Sequence, residues 1–515
     1  MGEQSIYTQI IESRSGCKIP SFASGRTVDS RYDPQKDSLR ICQGIKEQTK
    51  FVIITGIASG ILIGTILENR PDIFILAVEK SESELEFLKK LELIGELENN
   101  ERVCFCTMNT LQKKILELYV PAFYGNLEVI EQRGWIEENK DLVGQLQTSI
   151  QKAIGIVSAD FSVQSHFGKL WQHNIMSNLK MLDKAVPLPD VITHLNKTAV
   201  ILGAGPTLEK KIPELQNNRS SYYIIATDTA LSILCNNSLC PDCVVSLDGQ
   251  NVSGTHFIHT KPADLANTVF LFDLTANPGA VRKAALLNGK IVFFISGHPL
   301  SKYINKNLNC SLFELFSGAG TVTISALDYA IKCGFTDIRI FGADFAYLDG
   351  KAYARGTYLD TLYNSHSSRI ITPEKQFDRL LFRTPLNRLT QTRFTTDILE
   401  AYRISLEQYM ADKRISFVRK DDSYILQNTS EPLQLQNTTD RVENSELLVK
   451  EISKRILTAA GKPKVPSIFN QLSLEQICLL PLISWLRFYD NNKEADFSFY
   501  LKKAAAYFEK YLGRK

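Results

Sequence analysis

Ala199-Val200-Ile201-Leu202-Gly203-Ala204-Gly205-Pro206-Thr207-Leu208 is the stretch on which the fold of this chain turns. Four apolar residues make a short strand whose two faces are both covered. Two glycines then let bare backbone approach a neighbour or a ligand closely. Pro206 suits the first turn of a helix, where no N–H is needed. Ser317-Gly318-Ala319-Gly320-Thr321-Val322-Thr323 has the same character. Each elbow places N–H groups at a helix start, where an anion is favoured.

Between and around the elbows lie short runs rich in Val, Ile and Phe: Tyr222–Ala226, Val244–Leu247, Val269–Phe272, Ile291–Ile295 and Ile338–Phe341. Helical stretches separate most of them, which predicts a parallel, doubly wound sheet. Ligands in such sheets sit at the carboxyl ends of the strands. There the chain carries Thr227-Asp228, Asp248, Asp273, Ser296-Gly297-His298 and Gly342-Ala343-Asp344. An Asp in that position also caps a following helix, and Asp273 is read that way. Asp228 and Asp248 are the candidates to accept hydrogen bonds from a nucleotide base or ribose. Phosphate would avoid them and sit on the helix starts after Gly205 and Gly320. No third glycine stands near Leu208 and no lysine stands in a P-loop context. Both absences argue against a nicotinamide cofactor and against P-loop ATP chemistry.

Working outward, residues 1 to about 45 read as polar and irregular, and 51–79 as strand, glycine-rich turn, helix and strand. Gly56, Gly60 and Gly64 mark that turn and helix, and Glu79 ends the second strand, where ribose hydroxyls often bind. The fingerprint is degenerate, so a scaffold role is expected. Residues 140–195 read as an amphipathic helical connector, 350–390 as a long loop or lid, Ile415–Val418 as a last strand and 425–440 as a linker. The expected division is a Rossmann-like scaffold at 1–150, a connector at 151–195, a central α/β domain at 196–425 and a helical domain at 440–515.

The chain has 515 residues, 44% of them hydrophobic and 22% charged, the composition of a globular protein with several domains. A net charge of +3 offers no electrostatic case for nucleic acid. The most apolar window, Phe51 to Leu67, is too short and too glycine-rich for a membrane span. With no signal-peptide pattern at Met1–Ser5 and ten scattered cysteines, a cytoplasmic location is expected. Cys240-Pro241-Asp242-Cys243 has redox spacing, and with Cys235, His256 and His259 it has the ligand types of a zinc site. The alternative is that Cys243 simply opens the strand Val244-Val245.

Segments 199–250 and 316–350 resemble the motility-associated factor family of flagellin glycosyltransferases, a group also labelled for likeness to an archaeal hydroxymethylpterin diphosphokinase. The motifs are Gly203–Leu208, Ala226-Thr227-Asp228-Thr229-Ala230 and Pro241-Asp242-Cys243-Val244-Val245-Ser246-Leu247-Asp248. The central domain is also similar to a bacterial sialyltransferase family, through Gly203–Leu208, Ser317-Gly318 and Gly342-Ala343-Asp344-Phe345. That resemblance implies CMP along Gly203, Gly205, Thr207, Thr227, Asp228 and Asp248. It implies that the sugar carboxylate or phosphate meets Ser317, Gly318, Gly320 and Thr321. It implies tyrosines that steady the departing phosphate, for which Tyr347 and Tyr353 have the spacing, one residue late relative to Asp344.

The chain departs from that family at the general base. Before Thr396-Asp397-Ile398 the family's histidine position holds Thr392. His366 is the substitute candidate, with His298 and Asp344 behind it. The resemblance implies transfer of a nonulosonic, sialic-acid-like sugar from CMP to Ser or Thr of flagellin. No Asp-x-Asp metal motif follows a strand, so neither a metal nor a cofactor beyond the CMP-sugar is expected. A pterin diphosphokinase-like phosphotransferase and an inactive flagellin-binding or export protein stay open as alternatives.

Overall fold

The computed structural model describes residues 5–186, 196–257, 260–261, 265–308, 310, 312–420, 422–428, 444–461, 466–490 and 496–512. The chain forms two compact units, residues 1–169 with 454–515, and residues 170–453. The boundaries fall inside two helices, Val143–Leu179 and Ser445–Ala460. The expected connector is thus largely one 37-residue helix.

In the first unit, β1 (Tyr7–Glu12) and β2 (Lys18–Phe22) form an antiparallel hairpin. The helix Pro34–Gly44 follows. This differs from the irregular segment expected, because two strands of six and five residues are too short to show alternation against their Ser-Gly and Pro punctuation. Then β3 (Thr49–Thr55), β4 (Phe74–Glu79), β5 (Val103–Thr107) and β6 (Asn126–Glu131) make a parallel sheet in the order β5-β4-β3-β6. The apolar window is therefore a buried strand and the helix Ile61–Asn69. Among the described residues no helix is long and apolar enough to cross a membrane. The helices Leu474–Ile477, Leu480–Tyr489 and Phe497–Ala506 belong to this unit too, with Ser473 and Asp496 capping two of them.

The second unit is built on β7 (Thr198–Leu202), β8 (Tyr222–Thr227), β9 (Cys243–Ser246), β10 (Val269–Asp273), β11 (Lys290–Ile295), β12 (Phe313–Glu314) and β13 (Asp337–Phe341). These seven are parallel, in the order β12-β11-β10-β9-β8-β7-β13. The expected runs are all strands, with limits one residue from those read off the sequence. The chain therefore winds outward from β7 to β12 and then returns to β13, on the other side of β7. That reversal is the topological switch point of the sheet.

A three-stranded sheet of β14 (Tyr347–Leu348), β15 (Asn387–Arg388) and β16 (Arg393–Thr395) stands apart from the main one. Beyond β13 the main sheet continues as an antiparallel hairpin, β18 (Ser423–Gln427) and then β17 (Ser416–Lys420) at the edge. Sequence marked only β17, as Ile415–Val418. The segment read as a loop or lid carries two helices, Tyr358–Ser365 and Pro373–Leu381, beside the small sheet. The expected linker falls mostly on residues 429–443, outside the described ones.

Both faces of the main sheet are covered, and Val200, Ile201, Leu202, Ile224 and Ile225 are wholly buried. Each such side chain contributes roughly 1.5–3 kcal/mol. The helix Val322–Lys332 packs across β7, β8 and β9. Its start, at the second elbow, therefore belongs to the same carboxyl margin as Gly205 and Asp228.

Candidate functional site

At the switch point the loops after β7 and β13 are laced together. Gly203 N–H donates to Phe341 O at 2.9 Å and Gly205 N–H to Gly342 O at 2.8 Å. A Cβ on Gly203 would stand 2.5 Å from Gly342 O, and one on Gly205 would stand 2.6 Å from both Gly342 O and Asp344 Oδ2. The glycines are thus required first by chain against chain. Asp344 accepts the Thr207 N–H at 2.8 Å and the Thr207 hydroxyl. Its carboxylate stands where a phosphate would meet the helix Leu208–Asn217. Burial pushes the Asp344 carboxyl up, and the two Thr207 bonds offset only part of that. Thr227 ties β8 to β7 through a bond from its hydroxyl to Leu202 O, 3.1 Å.

One strand along, Asp228 is 2% exposed and fully engaged. Oδ1 accepts Thr229 N–H at 2.7 Å, and Oδ2 accepts Ser246 Oγ–H at 2.7 Å. Oδ2 also lies 3.4 Å from Nδ1 of His256, a residue 5% exposed. Burial pushes the Asp228 carboxyl up, but the nearby His256 charge and the bonds from Ser246 and Thr229 outweigh it and hold it below the usual range. Burial likewise pulls His256 down, and Asp228, helped by Asp248, raises it above the ordinary histidine value on balance. His256 lies in the 3-10 segment Asn251–Phe257. Asp248, half-buried, accepts Gln250 N–H at 2.9 Å through Oδ1.

The segment after β14 covers this pair. The Tyr358 ring lies 4.6 Å, centroid to centroid, from that of His256. Burial raises the phenols of Tyr353 and Tyr358, and both feel the negative charge of Asp228. Arg383 lies close enough to Tyr353 to pull its phenol back down in part. Four fastenings hold the cover: Ala354 N–H to Ala204 O at 2.9 Å, Lys351 Nζ and Arg355 N–H to the Glu209 carboxylate at 2.9 and 2.7 Å, and Asn236 to Gly356 O at 3.0 Å. The first of these ends on the elbow itself, so Tyr353 is carried in beside Gly203-Ala204-Gly205.

The second elbow is anchored from behind. Phe316 N–H donates to Asp328 Oδ2 at 2.7 Å, and Ser325 Oγ–H to Phe316 O at 2.9 Å. Gly320 has φ +75°, a conformation suited to glycine. The Phe316 ring occupies the place of a Cβ on Gly318. Ser317 and Thr321 flank this short turn, and no side chain caps the helix Val322–Lys332.

Asp228, Asp248 and Tyr353 are thus brought together, and Gly203, Gly205, Thr207 and Asp344 form a second group against them. Tyr347 stands in β14 and helps to raise the Tyr353 phenol. His366 is exposed at the end of the helix Tyr358–Ser365. His298 caps a helix by accepting Leu300 N–H at 3.2 Å, and burial holds its imidazole neutral, down to about 3. Sequence reasoning missed His256 as a partner of Asp228, and it missed Tyr358. The zinc constellation does not assemble: Cys243 is buried in β9 and Cys240 is exposed. His259 lies outside the described residues, among which no three His, Cys, Asp or Glu converge on a metal position.

A cleft of 420 Å³ is lined by Asp344 together with Arg393, Arg403, Arg419, Glu400 and Asp422 among others. Arg393 is spent on Asp422 at 2.5 Å and on Asp344 O at 3.0 Å, and Arg403 on Glu400 and Glu407. It is an ion-pair network rather than an open anion receptor.

Residues 173–350 match the family described as 6-hydroxymethylpterin diphosphokinase MptE-like. An uncharacterised protein of Treponema pallidum (strain Nichols) is 37% identical over 163 residues, 31% of this chain and 77% of that protein. The chain belongs to the MptE-like family. A second uncharacterised protein of the same organism is 33% identical over 169 residues, 32% of this chain, and the match spans 60% of its length. Among solved structures, the chain is similar to a Maf glycosyltransferase from Magnetospirillum magneticum AMB-1, with a TM-score of 0.56 and 12% identity over 98% of this chain and 91% of that one. This MptE-like chain has that glycosyltransferase's fold over nearly its whole length.

Proposed function

We propose that the chain is a glycosyltransferase that moves a nonulosonic sugar from a CMP donor to Ser or Thr of flagellin in the cytoplasm, without a metal. The observation that carries this reading is the carboxyl margin of the main sheet. There the elbow Gly203–Gly205, the carboxylates Asp228 and Asp248, and the tyrosines of the cover converge, in a fold shared with a Maf glycosyltransferase. A nonulosonic donor leaves CMP through an oxocarbenium-like transition state. The enzyme must hold a departing phosphate and take a proton from the acceptor hydroxyl. Tyr353, whose phenol burial raises, and Tyr347 supply hydroxyl donors for the phosphate. Ser317, Gly318, Gly320 and Thr321, at an uncapped helix start, supply others. Asp248, half-buried, supplies an acceptor for ribose or base, whereas Asp228 is already engaged by Thr229 and Ser246.

The geometry sharpens this reading in one respect. Asp344 already takes the Thr207 N–H, so CMP reaches that helix start only after Asp344 is protonated or displaced. The second elbow is then the better phosphate seat. A second reading, diphosphate transfer from ATP to a pterin, draws on the description of the matched family.

One experiment separates them. CMP at millimolar concentration raises the melting temperature under the first reading and Mg-ATP does so under the second. Intact-mass analysis of flagellin from cells lacking this chain then shows loss of a nonulosonic-acid mass increment under the first alone. No shift with CMP together with unchanged flagellin mass removes the glycosyltransferase reading.

A further inference from the structure

The position four residues before Thr396 holds Thr392 rather than a histidine, and His366 is exposed at the end of its helix. From the Asp228–His256 pair under the tyrosine cover, we infer that His256 is the general base of the transfer, with Asp228 as its positioning residue. This rests on the glycosyltransferase reading above. Nδ1 of His256 is buried without a hydrogen-bond partner and lies 3.4 Å from Asp228 Oδ2, a charge contact, so Nε2 is the nitrogen assigned to the proton. A buried carboxylate on one imidazole nitrogen fixes the ring's orientation and stabilises the cation that forms when the other accepts a proton. Asp228 is itself fixed by Ser246 and Thr229, so the pair is preorganised by two elements of the sheet margin.

Among the described residues, the charged and titratable groups around His256 are few. Asp228 comes from the helix Asp228–Asn236 and Asp248 from the loop ahead of its own segment. Tyr358 comes from the cover. Lys283, from the helix Pro278–Leu286, is held on Gly254 O at 2.7 Å. Their balance leaves the imidazole more basic than usual.

In the step, the acceptor oxygen forms a bond to the anomeric carbon of the donor. The bond from that carbon to the CMP phosphate oxygen breaks, and its electron pair leaves with CMP. The acceptor proton passes to Nε2 of His256, and Asp228 balances the resulting imidazolium. No further reactant is needed.

The test uses the full-length protein, a CMP-activated nonulosonic acid and purified flagellin, with transfer read by intact mass from pH 5.5 to 9. His256 must be neutral to accept a proton, so wild-type transfer rises with pH along an acid limb. His256→Gln should slow transfer about 100-fold or more and abolish that limb, while CMP affinity stays within about twofold. Asp228→Asn should move the limb to lower pH, because the carboxylate that raises the imidazole is gone. His256→Gln transferring within about threefold of wild type, or keeping the limb, overturns the inference. If His256→Gln does not fold, an unmoved limb in Asp228→Asn overturns it. Wild-type protein that neither binds CMP nor modifies flagellin fails the underlying reading instead.

Discussion

Glu79 and Asp228 stand at equivalent places, each at the carboxyl end of the strand that follows a glycine-rich elbow. Glu79 is fully buried and accepts bonds from Tyr7 Oη–H at 2.9 Å, Trp135 Nε1–H at 2.9 Å and Ile57 N–H at 2.7 Å. Trp135 lies over the elbow, 2.6 Å from where a Cβ on Gly56 would stand, and Asp29 takes the Ser59 N–H at 3.0 Å. The acid, the space over Gly56 and the Ser59 N–H are thus each taken by the protein's own groups. Asp228, by contrast, is met by an imidazole that titrates and is covered by tyrosines on a separate segment. One βαβ topology thus gives a scaffold where the acid's partners are neutral and fixed. It gives a candidate site where the partner can change charge and the cover is fastened by a few bonds.

The sharpest way to break this contrast is Glu79→Ala. It strands three buried donors and should cost the first unit about 4 kcal/mol, at roughly 1–3 kcal/mol per unmet group. The first melting transition reports the loss, and CMP binding to the second unit should not change. Gly205→Ala should act the other way. Its Cβ meets backbone at Gly342 O as well as Asp344, so about 3 kcal/mol of strain falls on the elbow and CMP affinity drops at least tenfold by calorimetry. Gly56→Ala, with φ +82° and Trp135 in the way, should lower the first transition by about 2 kcal/mol and leave CMP affinity alone.

The smallest effect concerns Asp29, whose carboxyl burial pushes up to about 6 against the lesser pull of Ser59. An acid raised above its unfolded value favours folding most at low pH. Its contribution is lost as pH rises through the folded value. The first unit should therefore melt progressively lower as pH rises from about 4 to about 6, and Asp29→Asn should flatten that slope. An unchanged slope would mean that Asp29 is solvated rather than seated on the turn.

The parallel strands were legible because each is a continuous apolar run flanked by turn chemistry, and both glycine elbows announced themselves in the same way. The antiparallel strand Ser423–Gln427 was not, because an edge hairpin with polar residues lacks that signature. Helices at Tyr358 and Pro373 hid behind a composition of Tyr, Thr and Arg that reads as loop. At the candidate site, Asp228 was visible from its place after a strand. His256 was visible only as a possible metal ligand, since nothing in a linear string says that residues 228 and 256 meet. Asp344 was singled out correctly as belonging to the margin, but its bond to Thr207 depends on the crossing between β7 and β13.

Glu209 sits in the first turn of the helix behind the elbow and grips the cover twice, once through the ammonium of Lys351 and once through the peptide of Arg355. A latch that is half ionic loosens with dissolved salt. Neutralising Glu209, or simply adding electrolyte, should therefore quicken the swinging of Tyr353 away from the sheet. Ionic strength becomes a throttle on how long a bound molecule stays enclosed.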